Sequence, residues 1–222
     1  MKAQFFPYKD ENPSRSFPIV TTALIIVNAV AFVWTLPILY GDEATAMAFF
    51  NAYGFVPASF SFLAIITSMF LHGGLGHIFG NMWYFWLFGD NVEDRFGKVK
   101  FLIFYMAAGV FAALVHYLSE PASAIPAIGA SGAISGVLGA YAAIFPKVRV
   151  KTIGPFFRTF ELPAWALMGL WFALQLFSGA LTVFGDLGGG GIAFFAHIGG
   201  FIFGYMIGLM YNKMLWGRLQ KR

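Results

Sequence analysis

Apolar residues run in long blocks along this chain, each closed by charge, proline or glycine. The first block, Ile19–Tyr40, is long enough to cross a bilayer, which takes roughly 20 helical residues. Pro37 is expected to kink or end it. Gly41–Ser59 is mixed, with Asp42, Glu43, Gly54 and Pro57. Phe60–Leu71 is apolar but too short to span, and His72-Gly73-Gly74 breaks it, so it is expected to lie in or dip into the outer interface. A second crossing is predicted from about Leu75 to Phe88, followed by a charged loop, Asp90–Lys100. Phe101–Leu118 is the third. After a connection carrying Pro121 and Pro126, the fourth starts near Ser131 and ends at Phe145-Pro146. Lys147–Glu161 is predicted as a basic loop. Pro163–Phe184 is the fifth, with its proline at a helix start, where the missing donor costs nothing. A glycine-rich loop, Gly185–Gly191, leads to the sixth, Phe194–Leu215.

The pattern predicts an all-α integral membrane protein with six transmembrane helices. Residues 1–17 form a short, loosely ordered tail, 18–216 the membrane domain and 217–222 a second tail. The first tail has neither the apolar centre nor the small-residue site of a cleaved signal. Composition agrees: 59% of residues are hydrophobic and 11% charged, against about 25% charged in soluble domains. The chain has no cysteine, which excludes disulfides, thiolate metal sites and a cysteine nucleophile. A formal charge of +4 invites a nucleic-acid partner, but the distribution of charge argues otherwise. All 14 Lys and Arg fall in the first tail, in the loops after the second and fourth crossings, and from Lys213 to the last residue. Such a bias places both termini in the cytoplasm and requires an even number of crossings. A multi-pass protein of a prokaryotic plasma (inner) membrane is the expected setting, with the lipid bilayer as its surroundings and no nucleic acid bound.

Candidate chemistry gathers at one depth. Ser131 precedes Lys147 by 16 residues, and His197 precedes Lys213 by 16. At 1.5 Å per residue each lies roughly 24 Å above the first basic charge, a little below the outer surface of a core about 30 Å thick. His77 and Asn81 come 13 and 9 residues before Asp90, at a similar level and on one helix face. Gly200, Gly204 and Gly208 follow His197 on its face, and Gly132, Gly136 and Ala140 form a matching stripe beside Ser131. Small stripes let membrane helices touch backbone to backbone, which would bring Ser131 and His197 together. A glycine stripe alone is ordinary packing. His116 is expected to be an interfacial residue, and His72 either a loop histidine or part of the site.

These residues resemble the rhomboid family of intramembrane serine proteases. The likeness runs from about Ile65 to Gly208. It is carried by Leu71-His72-Gly73-Gly74-Leu75-Gly76-His77-Ile78-Phe79-Gly80-Asn81-Met82, by Gly89-Asp90-Asn91-Val92-Glu93-Asp94-Arg95-Phe96-Gly97, by Gly129-Ala130-Ser131-Gly132, and by Ala196-His197-Ile198-Gly199-Gly200 with Gly204. The resemblance implies a rhomboid-like six-helix bundle and a dyad of Ser131 as nucleophile and His197 as base, without an acidic third member. It implies that His77 and Asn81 help to bind the oxyanion, joined by the Ser131 main-chain NH at a helix start. Gly129, Gly132, Gly136, Gly200 and Gly204 are expected to pack the helices at the site. It further implies cleavage of single-span transmembrane clients, with no cofactor and no metal. Two positions depart from the family pattern: no Trp-Arg pair lies between Gly41 and Leu71, and Ser135 stands where many members place a tyrosine against the base. The competing readings are a client-binding member without activity, and a small transporter. Against the second, no predicted crossing carries Asp, Glu or Arg, and the one Lys, Lys213, stands at the basic end of the sixth.

Overall fold

A computed structural model of the chain describes residues 6–184 and 193–219, so the predicted Gly185–Gly191 loop lies outside the described residues. It contains eight α-helices and three strands among the described residues. The helices are α1 (Ile19–Leu39), α2 (Glu43–Tyr53), α3 (Phe62–Ser68), α4 (Leu75–Phe96), α5 (Lys98–Ser119), α6 (Ser131–Ile144), α7 (Ala164–Phe184) and α8 (Phe194–Leu219). Four are long and apolar enough to cross a membrane: α1, α5, α7 over Ala164–Leu181, and α8 over Phe194–Lys213. The protein is an integral membrane protein on that ground. Helix α6 is apolar but has only 14 residues, roughly 21 Å at helical rise.

Helix α6 is the centre of the molecule. It packs against α4, α5, α7 and α8, and every residue from Ala133 to Ile144 is buried. A helix apolar on all faces belongs in such a position. The rest of the core is aromatic: Phe85 and Phe88 from α4 and Phe101 and Tyr105 from α5 are fully buried beside Val137 and Tyr141 of α6. The α6–α8 seam is close enough that glycine is required. A Cβ on Gly200 would overlap the Gly132 carbonyl, and one on Gly204 the Gly136 carbonyl, while on Gly208 it would lie 3.0 Å from the Ala140 carbonyl. The two predicted stripes therefore meet in register. Gly139 also belongs to this seam, against the backbone of Phe201 and Tyr205.

Three expectations need correction. The segment Asp90–Lys100 is mostly helix, because α4 continues to Phe96 and a single left-handed glycine, Gly97 (φ 78°), turns the chain into α5. The charges there serve structure: Glu93, 2% exposed, accepts the N–H groups of Val20 and Thr21 at 3.0 and 2.7 Å. A carboxylate at the first turn of α1 satisfies its orphan donors and complements its dipole. Second, the molecule is not all-α. Strands β1 (Phe6–Asp10), β2 (Arg149–Ile153) and β3 (Thr159–Pro163) form an antiparallel sheet in the order β1-β2-β3. The basic loop is thus a hairpin. Third, the described part of the first tail, from Phe6 onward, is not loose. Beyond its pairing with β2, Pro7 accepts from the Trp83 indole at 2.8 Å, and Asp10 accepts from the Tyr141 hydroxyl at 2.6 Å and the Asn91 amide at 3.1 Å.

Candidate active site

Ser131 is the first residue of α6, with Ala130 as its cap. The backbone leading to it would be costly in an apolar medium unless paired. Phe55 and Ala127 exchange two backbone hydrogen bonds at 3.0 and 2.8 Å, and the Gly129 N–H donates to the Ser68 carbonyl at 2.9 Å. At the helix start the Ser131 N–H has no intrahelical acceptor and is free to serve a ligand.

His197 lies one turn into α8, and the glycine seam fixes its height beside Ser131. Its Nε2 is 2.8 Å from the Ser131 Oγ. Its Nδ1 is 2.9 Å from Oε1 of Gln175 on α7, and the Trp171 ring, one turn earlier on α7, lies 6.0 Å from the imidazole centroid. Ser135 takes no part in holding the ring: its hydroxyl donates back to the Ser131 carbonyl at 2.6 Å.

The α4 pair faces the same space. The Gly73 N–H donates to His77 Nδ1 at 3.4 Å, which leaves Nε2 of the neutral ring to carry the proton. Gly129 (φ 118°) is the neighbour of that nitrogen, since a Cβ there would come within 2.7 Å of it. Gly129 therefore gives clearance to His77 in the loop, rather than packing two helices as expected. The Asn81 amide donates to the His77 carbonyl at 3.1 Å and faces Gly129 as well. Gly132 and Gly136 pack on two sides, their absent Cβ positions facing Ala112 and Ala108 of α5 while their carbonyls face α8.

A cavity of about 610 Å³ joins these groups, lined by His77, Asn81, Ser131, Trp171, Gln175 and His197 among others. Helix α4 forms one wall and α7 the other. No Asp, Glu, Lys or Arg lines it among the described residues, so any charge developing there would be met by neutral N–H dipoles. His72 is buried and sits edge-on to His77 at 5.1 Å. His116 is also buried, behind Ser131 in a second, small cavity with Ser68. The sequence reasoning missed Gln175 and Trp171. The available signal was Gln175 itself, the one carboxamide in the run from Pro163 to Phe184.

The Rhomboid domain family model matches residues 59–214. The chain belongs to the rhomboid family. Among curated proteins it is similar to the mitochondrial presenilin-associated rhomboid-like protein of Homo sapiens, 29% identical over 202 residues, covering 88% of this chain and 49% of that one. It is similar to the mitochondrial Rhomboid protein 1 of Saccharomyces cerevisiae, 29% identical over 208 residues, with 90% and 55% covered. It is also similar to the Rhomboid protease GluP of Bacillus subtilis, 38% identical over 93 residues, with 40% and 18% covered. The matched part is thus about half, or less, of the length of each of these relatives.

Proposed function

We propose that this protein is an intramembrane serine endopeptidase that cuts transmembrane segments of client proteins near their outer ends. The 2.8 Å approach of His197 Nε2 to the Ser131 hydroxyl carries the reading. His197 takes the hydroxyl proton as Oγ attacks the client carbonyl, then passes it to the leaving amine. The Ser131 main-chain N–H, His77 Nε2–H and the Asn81 amide supply donors for the oxyanion. The family membership supports this chemistry, and the relative from Bacillus subtilis carries the name of a rhomboid protease.

The chain crosses the membrane six times in this reading, through α1, α4, α5, α6, α7 and α8, with both termini in the cytoplasm. Strand pairing supports the count. Residues 6–10 hydrogen-bond to residues 149–153, so both lie on one side, and an even number of crossings must separate them. The helices α1, α4, α5 and α6 supply four. The basic residues of the hairpin and tails put that side in the cytoplasm. A prokaryotic plasma membrane suits this bias, while the relatives come under mitochondrial as well as bacterial names.

Clients are single-span proteins. A helix has its carbonyls tied up and must unwind to offer one to Ser131, which is tolerable only where water or protein satisfies the freed groups. Cleavage is expected in the outer third of the client span, beside small or helix-breaking residues. The decisive experiment reacts the protein with a fluorophosphonate in a membrane mimetic and maps the label. Labelling confined to Ser131, and lost in His197→Ala, is the expected result; labelling at Ser135 or Ser68 would overturn the assignment. Fragment masses from a reconstituted client test the depth, and a cut in the cytoplasmic half would defeat it.

A further inference from the structure

We propose that Gln175 is a third member of the site, a positioning residue that holds the base in its working tautomer from α7. The inference rests on the Ser131–His197 reading. A neutral imidazole carries one proton. If His197 Nε2 is to accept the Ser131 hydroxyl proton, that single proton must sit on Nδ1. A bare Nδ1–H facing an apolar wall would be an unpaired donor, costly to bury. Here Gln175 Oε1 stands 2.9 Å from it and accepts it. The carboxamide oxygen selects the tautomer in which Nε2 is a lone-pair acceptor, and it fixes the ring's rotation about its bond to the chain. When the ring becomes an imidazolium during the reaction, the same oxygen still faces an N–H and its partial negative charge favours the cation.

The surroundings leave this task to α7. Ser135, one turn below the nucleophile, spends its hydroxyl on the Ser131 carbonyl. No carboxylate lines the cavity among the described residues. Trp171 lies one turn before Gln175 on the same face of α7 and sets its indole beside the imidazole at 6.0 Å, so one helix both hydrogen-bonds the ring and backs it. A glutamine does what an aspartate does in a charged triad, in a medium where an ionised carboxylate would be expensive.

The test compares Gln175→Leu, Gln175→Met and Gln175→Glu with the unaltered protein by fluorophosphonate labelling rate, client kcat and KM, and pH–rate profile. Both apolar variants remove the acceptor while filling its space; they are expected to fall about tenfold in labelling rate and kcat, as loss of one buried hydrogen bond implies, with KM and melting temperature little changed. Gln175→Glu, assayed above the pH at which its carboxyl ionises, can then only accept; it is expected to restore most of the rate and to move the acid limb of the pH–rate profile upwards, because a carboxylate favours the imidazolium. Apolar variants that label at the rate of the unaltered protein would overturn the proposal, as would a folded Gln175→Glu with lost activity, which would mean that the amide donates to Nδ1. If one variant fails to fold, the remaining apolar variant decides. Ser131→Ala and His197→Ala run alongside: full activity in either would sink the dyad itself, whereas their inactivity with normal apolar Gln175 variants would sink only the role of Gln175.

Discussion

The two sides of the candidate site are built differently. Ser131 and His197 stand on the α6–α8 seam, where the glycines leave no space between backbones. The α4 side faces the cavity, and a Cβ on Gly76 or Gly80 would meet nothing within 4 Å. A nucleophile and its base must keep their separation closely, and contact between main chains is one way to give that rigidity. In the proposed function, the groups that receive a client need room instead. The same residue type, glycine, thus serves opposite purposes on two sides of one site: close approach in one wall and vacancy in the other.

Breaking the tight side has the largest expected effect. Gly204→Val drives a branched side chain into the Gly136 carbonyl. Overpacking typically costs about 1–3 kcal/mol, and rigid backbone as the neighbour puts this variant at the upper end or beyond. A sharply lower melting temperature with lost probe labelling is the expected result; a stable, active variant would mean that the seam yields. Next comes the open side's own chemistry. Asn81→Ala should fold normally and slow turnover, at or below the low end of the about 10²–10³ in kcat that losing one oxyanion donor costs, since His77 and the Ser131 N–H share the load. Steady-state kinetics on a reconstituted client check this, and an unchanged kcat would remove Asn81 from the site.

Gly80→Ala sharpens the contrast through its sign. With nothing near the added methyl group, the helix should gain up to about 1 kcal/mol from the exchange, read as a higher melting temperature, where the seam glycines lose stability under any substitution. The smallest effect lies in the docked first strand. Burial raises the Asp10 carboxyl above its usual range, against the lowering effect of the Tyr141 hydrogen bond. A raised pKa means the docked state binds the proton more tightly. Docking is therefore strongest below about pH 4 and weakens as pH rises through the raised value. Asp90, Tyr141 and Asn91 surround this group. Hydrogen-exchange protection of the Glu11 N–H, which bonds the Arg149 carbonyl, should fall modestly from pH 4 to 8, and Asp10→Asn should flatten the change. An equally steep fall in that variant would assign the titration elsewhere.

The seam was legible in the sequence because membrane helices mark close contact with small residues in a fixed period, and Gly132, Gly136 and Ala140 against Gly200, Gly204 and Gly208 left one register. Equal spacing of Ser131 and His197 from the next basic residue put the two at one level along their helices, and their side chains do meet. The sheet was harder. Val150 and Thr152 are buried between more exposed neighbours, a period-two signal, but it is short and carried by a charge-rich segment. Its partner strand lies some 140 residues away, which no local pattern discloses. Glu93 looked like part of a charged loop because the donors it satisfies, at Val20 and Thr21, belong to a different helix. Gln175 stood alone in an apolar run, and its bond to His197 depends on how α7 leans on α8.

The pairing of β1 with β2 also bears on how the protein is made. At roughly 5–20 residues per second of synthesis, Phe6–Asp10 must wait on the order of 10–30 s for Arg149–Ile153 to emerge. The two strands can meet only if the intervening helices have been threaded through the membrane an even number of times. A chain that skips one insertion strands its hairpin on the wrong side and leaves both strand edges unpaired, a surface that quality-control proteases and chaperones recognise. In the proposed topology the small sheet thus acts as a latch that cannot close on a chain with an odd number of missed insertions, and its closure reports on biogenesis.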